Sequence, residues 1–283
     1  AERQLRNSQT SDSFLSLGLL TVGVGVSGAV DTGTGTIVVS RDLRVSESMR
    51  IAEPLEQVLG VPVSVFNDAD ACALGEIEYG ANHDEDLLFV LANIRLMPDS
   101  LYGEREHRDR RRRDERAVNA GLGIVLDGHL RYAHSGTGRE FRSPLLSTDS
   151  QEQFAVAEEY YRFDISAEQV PEKLAEELGI SVAFLVHALD LRTIVLGGDL
   201  CVPWERKALF EERIREHISR DTIMTDQQSV VIREPGIEPR PIAFGASAGA
   251  MRKLFEHREF PIEQLNFAGD NASLTRSGEA TGK

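Results

Sequence analysis

Gly60-Val-Pro-Val-Ser-Val-Phe-Asn-Asp-Ala-Asp-Ala-Cys-Ala-Leu-Gly-Glu76 is the stretch on which the fold turns. Val61, Val63 and Val65 alternate with Pro62, Ser64 and Phe66, the period-2 pattern of a short strand. The strand delivers Asn67 and Asp68 to the start of a helix, where side-chain oxygens can satisfy backbone N–H groups that lack helical partners. The helix then presents small residues, Ala69, Ala71, Cys72, Ala73 and Gly75.

Outward from this junction, strand and helix patterns alternate. Leu15, Leu17, Leu19, Leu20, Val22, Val24 and Val26 predict a buried strand ending at Gly28, followed by the turn-rich Asp31-Thr-Gly-Thr-Gly35 and a short strand at Ile37, Val38 and Val39. Ser48 to Leu59 reads as a helix closed by Gly60, with Pro54 in its first turns or at a break. Leu87 to Ala92 is an apolar strand, and Gly121 to Leu126 with Asp127-Gly128 reads as a hairpin. Helices are expected from Pro171 to Leu189 and from Trp204 to Arg220, with strands from Thr193 to Leu196, running into Gly197-Gly198, and from Ser229 to Arg233. A small-residue helix is expected from Ala246 to His257. The alternation is that of an α/β protein.

Composition narrows the functional classes. The chain has 283 residues, 41% of them hydrophobic, enough for a sizeable core. No apolar run approaches the roughly 20 residues of a membrane span, and the first residues are polar, so the cytoplasm is the expected compartment. Two cysteines, Cys72 and Cys201, cannot form a cysteine-rich metal site and read as two buried thiols. The net charge of -15 has the wrong sign for wrapping nucleic acid. The run from Glu104 to Arg116 carries seven arginines interspersed with five carboxylates, and no aromatic residue to stack a base. It is expected to be a solvated, mobile excursion and not a DNA arm.

Four separated stretches, in order, resemble the ROK family of sugar kinases and sugar-responsive repressors. The first is Gly23-Val-Gly-Val-Ser-Gly-Ala-Val-Asp31 with Thr34-Gly-Thr-Ile37, where Ser27 and Ala29 stand in place of the family's prolines. The second is Gly60 to Glu76, similar to the family's Asn-Asp-Ala-Asn-Ala-Ala-Ala-Leu-Gly-Glu segment, with Asp70 replacing the second Asn. The third runs from Gly121 to Phe141, and the fourth from Thr193-Ile-Val-Leu-Gly-Gly198 to Gly245-Ala-Ser-Ala-Gly-Ala250.

The resemblance implies an actin-like (ribonuclease H-like), two-lobed α/β fold with the first lobe incomplete, and a monosaccharide or sugar derivative bound between the lobes of a homodimer. Its expected partition is a loose start over 1–13, a remnant of the first lobe over 14–66, and a second lobe over 67–244 with an Arg-rich excursion at 95–118. A C-terminal helix at 245–266 returns to the first lobe, before a loose tail at 267–283. Asn67 and Asp68 match the pair that hydrogen-bonds the sugar, and Asp68 matches the carboxylate that serves as general base in family kinases. Without the family, Asp68 reads equally well as a helix cap. Glu140 resembles a carboxylate that accepts from sugar hydroxyls, and His134 lies near it in sequence. Gly121, Gly123, Gly197 and Gly198 fall at the positions of nucleotide contacts, although glycines there also suit close strand packing and a plain turn.

The departures bear on activity, since phosphoryl transfer rests on positioned phosphates and metal. The family's Asp-Xaa-Gly-Gly-Thr turn is absent, and the second phosphate loop has become Val118-Asn-Ala-Gly-Leu-Gly123. The structural zinc cluster has no counterpart, so no zinc is expected. ATP and Mg belong only to a kinase alternative. The preferred expectation is a sugar-sensing domain of a transcriptional regulator, in which DNA contact comes from a helix-turn-helix that this chain does not show. A sugar kinase using Asp68, or a non-catalytic dimer partner, are the other readings.

Overall fold

In a computed structural model of the protein, the residues described are 18–80, 86–96, 117–132, 141–147, 149–150, 152–162, 164–202, 204–221, 230–237 and 240–256. Residues Thr21–Glu256 form one compact unit, set apart from the two ends of the chain. All the strands and helices among the described residues belong to that unit. The Arg-rich run, His134 and Glu140 lie outside the described residues.

A five-stranded mixed sheet forms the centre, with strands β6 (Leu87–Ile94), β7 (Val118–Leu126), β8 (His129–Leu130), β9 (Thr193–Gly198) and β10 (Val231–Arg233) in the order β10-β9-β6-β7-β8. Strand β6 is parallel to β9 and antiparallel to β7, and β10 runs parallel to β9. Successive residues of β6 point to opposite faces, so its unbroken apolar run feeds two cores. Leu88, Val90 and Ala92 pack with Leu174, Leu178, Val182, Phe210 and Ile214. Those partners come from helices α4 (Val170–Leu189) and α5 (Trp204–Asp221), which α3 (Ala155–Arg162) joins on the same face. Leu87, Phe89 and Leu91 turn the other way, onto α2 (Asp68–Tyr79) and α6 (Pro241–Glu256).

Beyond α2 and α6 lies a parallel pair, β1 (Val22–Val26) and β5 (Val63–Asn67). Close by is an antiparallel three-stranded sheet of β2 (Ala29–Asp31), β3 (Thr36–Val39) and β4 (Met49–Arg50). Helix α1 (Ala52–Leu59) precedes β5, ends at Gly60 in the left-handed conformation, and helps close a small third core of Val30, Ala52, Val63 and Val65.

The small residues of α2 follow from its position. Residues Ala69 to Glu76 are all buried, because the helix is covered by β7 on one side and α6 on another. A methyl group on Gly245 would stand 1.5 Å from the Ala71 carbonyl oxygen, and one on Gly23 would stand 1.9 Å from that of Ala246. Backbones this close admit no side chain. Glu76, with a fully buried side chain, ends the small-residue stretch and is held by Arg233 at 2.5 Å and the Gly236 amide at 2.7 Å.

Several boundaries differ from expectation for tertiary reasons. Met49–Arg50 pairs with β3, so α1 begins only at Ala52 and not at Ser48. Helix α6 begins at Pro241, five residues before the expected start, with proline at a first-turn position where no N–H is needed. Gly197 and Gly198 finish β9 and do not form a separate turn. Cys72 is fully buried, whereas Cys201 is half-buried with its thiol directed to the Leu196 carbonyl at 2.7 Å.

Candidate functional site

A cleft opens where β1 and β5 end, lined by Ser27, Asn67, Asp68, Asp70, Asn93 and Asn119 together with the backbone around Gly28 and Gly121. Strand β5 and helix α2 set two of these side chains. Asn67 is the helix cap: its Oδ1 accepts from the Ala69 amide at 3.0 Å and the Asp70 amide at 3.3 Å. Its Nδ2 donates to the Gly28 carbonyl at 2.8 Å, which ties the start of α2 to the turn after β1. Gly28 adopts φ +110°, and a methyl there would stand 2.5 Å from the Val39 carbonyl oxygen, so glycine is required at this crossing.

Because Asn67 caps the helix, Asp68 takes the first helical position, and its Oδ1 accepts from the Ala69 amide at 2.9 Å. A methyl on Gly121 would lie 3.6 Å from Asp68 Oδ1 and 3.8 Å from Asn67 Oδ1, so both oxygens sit over the backbone of β7. A carboxylate that lines a cleft can take hydrogen bonds from ligand hydroxyls, or a proton from one.

The glycines occupy one edge of the same region but are committed to packing. Gly121 and Gly197 both stand in register with Leu91, on either side of β6. The Gln153 side chain bonds both the amide and the carbonyl of Ala120 at 2.9 Å. Since neighbouring residues of a strand point their amides to opposite edges, those of Gly121 and Gly123 face β6 and belong to its ladder. A methyl on Gly123 would stand 2.5 Å from the Ala69 carbonyl oxygen, one on Gly197 2.7 Å from the Phe89 ring, and one on Gly198 2.3 Å from the Ala92 carbonyl oxygen. All four positions lie in strands, Gly121 and Gly123 in β7 and Gly197 and Gly198 at the end of β9.

Opposite Asp68, an unanticipated cluster completes the cleft. The turn Arg41–Arg44 brings in Asp42, whose Oδ2 accepts from Asn119 Nδ2 at 2.7 Å and from the Ser27 hydroxyl at 3.0 Å. Arg95 approaches Asp42 Oδ1 at 3.2 Å. The neighbouring Arg41 reaches the fully buried Glu152 carboxylate at 3.5 Å, so the turn is anchored twice.

A profile of the ROK family matches residues 8–93, the region that contains β1 to β5, α1 and α2. Over that stretch the chain is similar to the ROK family. It is similar to the xylose repressor of Caldicellulosiruptor bescii, with 21% identity over 288 residues that cover 86% of this chain and 65% of that protein. It is also similar to the N-acetyl-D-glucosamine kinase of Pasteurella multocida, with 28% identity over 203 residues that cover 64% of this chain and 65% of that enzyme. Among solved structures, the ROK hexokinase of Thermus thermophilus superposes with a TM-score of 0.64 at 21% identity, over 90% of this chain and 86% of that one. The fold is therefore the actin-like one of ROK sugar kinases and regulators. The chain spans about two thirds, 65%, of the xylose repressor it matches. Among the described residues, no helix is long and apolar enough to cross a membrane.

Proposed function

We propose that this chain is the sugar-binding, effector-sensing part of a ROK-type transcriptional regulator and does not transfer phosphate. The observation that carries the reading is a contrast within one cleft: Asn67 and the Asp68 carboxylate line it, while Gly121 and Gly123 are spent in the β6 ladder and against α2. Sugar recognition needs only the first, and phosphoryl transfer needs amides and metal positioned on the γ-phosphate as well. Where the resemblance expects a phosphate loop, Asn119 is bonded to the Asp42 carboxylate. Similarity to a xylose repressor agrees with this reading. A sensor needs no chemistry, since ligand binding has only to favour one conformation over another.

Asn67 and Asp68, with Glu140 joining from outside the described residues, would bind a monosaccharide or a sugar derivative. The working unit would be a cytoplasmic homodimer, with DNA contact made by a helix-turn-helix that the described elements do not include. No zinc or nucleotide is needed for this role. The kinase reading retains support from Asp68 and from the likeness to a hexokinase and an N-acetyl-D-glucosamine kinase.

Calorimetry with D-xylose, D-glucose and N-acetyl-D-glucosamine tests the proposal. Hydrogen bonds to a charged group are worth about 1.5 to 3 kcal/mol, so Asp68→Ala and Glu140→Ala should each weaken binding about tenfold or more. Sugar-dependent ADP release that disappears in Asp68→Asn would replace the sensor by a kinase.

A further inference from the structure

We propose that Ser27, Asp42 and Asn119 form a second recognition wall of the cleft, in which Asn119 accepts a hydrogen bond from a ligand hydroxyl and Asp42 is the positioning residue that holds it. This rests on the sugar-binding reading and adds the residues that select among sugars. Ser27 and Asn119 line the cleft together with Asn67 and Asp68.

The chemistry of Asp42 fixes the orientation of the wall. A carboxylate only accepts, so the Asn119 group 2.7 Å from Asp42 Oδ2 is the amide nitrogen, and its Oδ1 is left to accept. The same nitrogen lies 3.4 Å from Ser27 Oγ, and the Ser27 hydroxyl donates to Asp42. With their donors turned to Asp42, the two cleft residues present acceptors, the complement of a sugar hydroxyl.

Three elements distant in sequence converge on this carboxylate: the turn after β1, strand β7, and Arg95 just past β6. The Asp42 side chain is 8% exposed, and Arg95, at 40%, balances its charge from the solvent side. The wall is thus held without adding net charge to the cleft. Ser27 stands where the family resemblance expects proline, which has no hydroxyl to donate. That departure supplies one of the donors holding the wall.

The test measures affinities for D-xylose, D-glucose and N-acetyl-D-glucosamine in the wild type, Asn119→Ala, Asp42→Ala, Asp42→Asn and the Asp42→Ala/Asn119→Ala double variant, with thermal unfolding to confirm folding. Asn119→Ala and Asp42→Ala should each lose about tenfold, and the double variant should lose about tenfold and not a hundredfold, because both act through one contact. Asp42→Asn can still offer a carbonyl oxygen to Asn119 and should lose less than Asp42→Ala. If Asp42→Ala fails to fold, Asn119→Ala and Asp42→Asn decide alone. Wild-type affinity in both, alongside weakened binding in Asp68→Ala, would overturn this wall and leave the sugar reading standing. A hundredfold loss in the double variant would also overturn it. If none of the three sugars binds the wild type, the sugar reading falls and this wall with it.

Discussion

The two polar walls of the cleft are built in unlike ways. Asn67 and Asp68 are adjacent residues at one strand–helix junction, and their oxygens bond to amides one to three positions away. Ser27, Asp42 and Asn119 come from two turns and a strand, with 92 positions between Ser27 and Asn119. The first wall is made by local backbone requirements, so any chain that folds through this junction will have it. The second exists only when the turn at Arg41–Arg44 docks on β7, so it is the part that substitution can change without disturbing the fold.

The largest effect expected from this contrast falls on the support of the first wall. Helix α2, which begins at Asp68, packs on α6 through Gly245, where an added methyl would stand 1.5 Å from the Ala71 carbonyl oxygen. Overpacking ordinarily costs about 1 to 3 kcal/mol, and here the obstacle is backbone, so Gly245→Val should cost more than about 3 kcal/mol. Chemical denaturation that finds Gly245→Val within about 1 kcal/mol of the wild type, the low end of that range, would show that the two helices are not so tightly joined.

A middle-sized effect separates the walls directly. Asn67→Ala removes a helix cap and the bond to the Gly28 carbonyl, and should cost about 1 to 2 kcal/mol of stability. Ser27→Ala removes one of three donors on Asp42, two of which remain, and should cost less than about 1 kcal/mol. Equal losses in the two variants, measured by urea denaturation, would erase the distinction between a local wall and a docked one.

The smallest effect lies at the turn between β2 and β3. Asp31 accepts from the Thr34 hydroxyl at 2.7 Å and from the amides of Gly33 and Thr34, and the Thr34 hydroxyl, foremost, holds its carboxyl below the usual value of 3.8. A depressed carboxyl pKa adds stability above the unfolded value, and that stability is lost as the pH falls through the folded one. Thr34→Val should therefore be slightly less stable than the wild type near pH 6, and the difference should shrink as the pH drops below about 4. A difference that stays constant from about pH 6 to about pH 3, across the ordinary carboxyl range, would assign the effect to packing instead.

How much was legible follows the same division. The junction from Gly60 to Glu76 was readable because strand alternation, a capping residue and a run of small residues each impose a local pattern. The sequence offered Asp68 as the helix cap, but Asn67 holds that place; Asn and Asp cap about equally well, so the residue types could not separate them. Helix α3 was missed although Val156, Ala157, Tyr160 and Tyr161 are buried at spacings of one, three and four, a helical stripe in a short segment. The short strands β2 and β4 had no periodic signal, and they exist because β3 pairs with both.

By itself the sequence determined the alternation of strands and helices, the likeness to the ROK family, and the strand–helix junction at Asn67 and Asp68, because each depends on residues close together along the chain. The tertiary structure decided what the glycines do and which groups face Asp68 across the cleft. Gly121, Gly123, Gly197 and Gly198 show nothing in sequence of what packs on them, and only the fold brings Ala69, Phe89 and the Ala92 carbonyl against them. Asp42 is one carboxylate among 46 acidic residues until folding brings Ser27, Arg95 and Asn119 to it. A hydrogen bond is decided by distance in space, and separation along the chain carries almost no information about it.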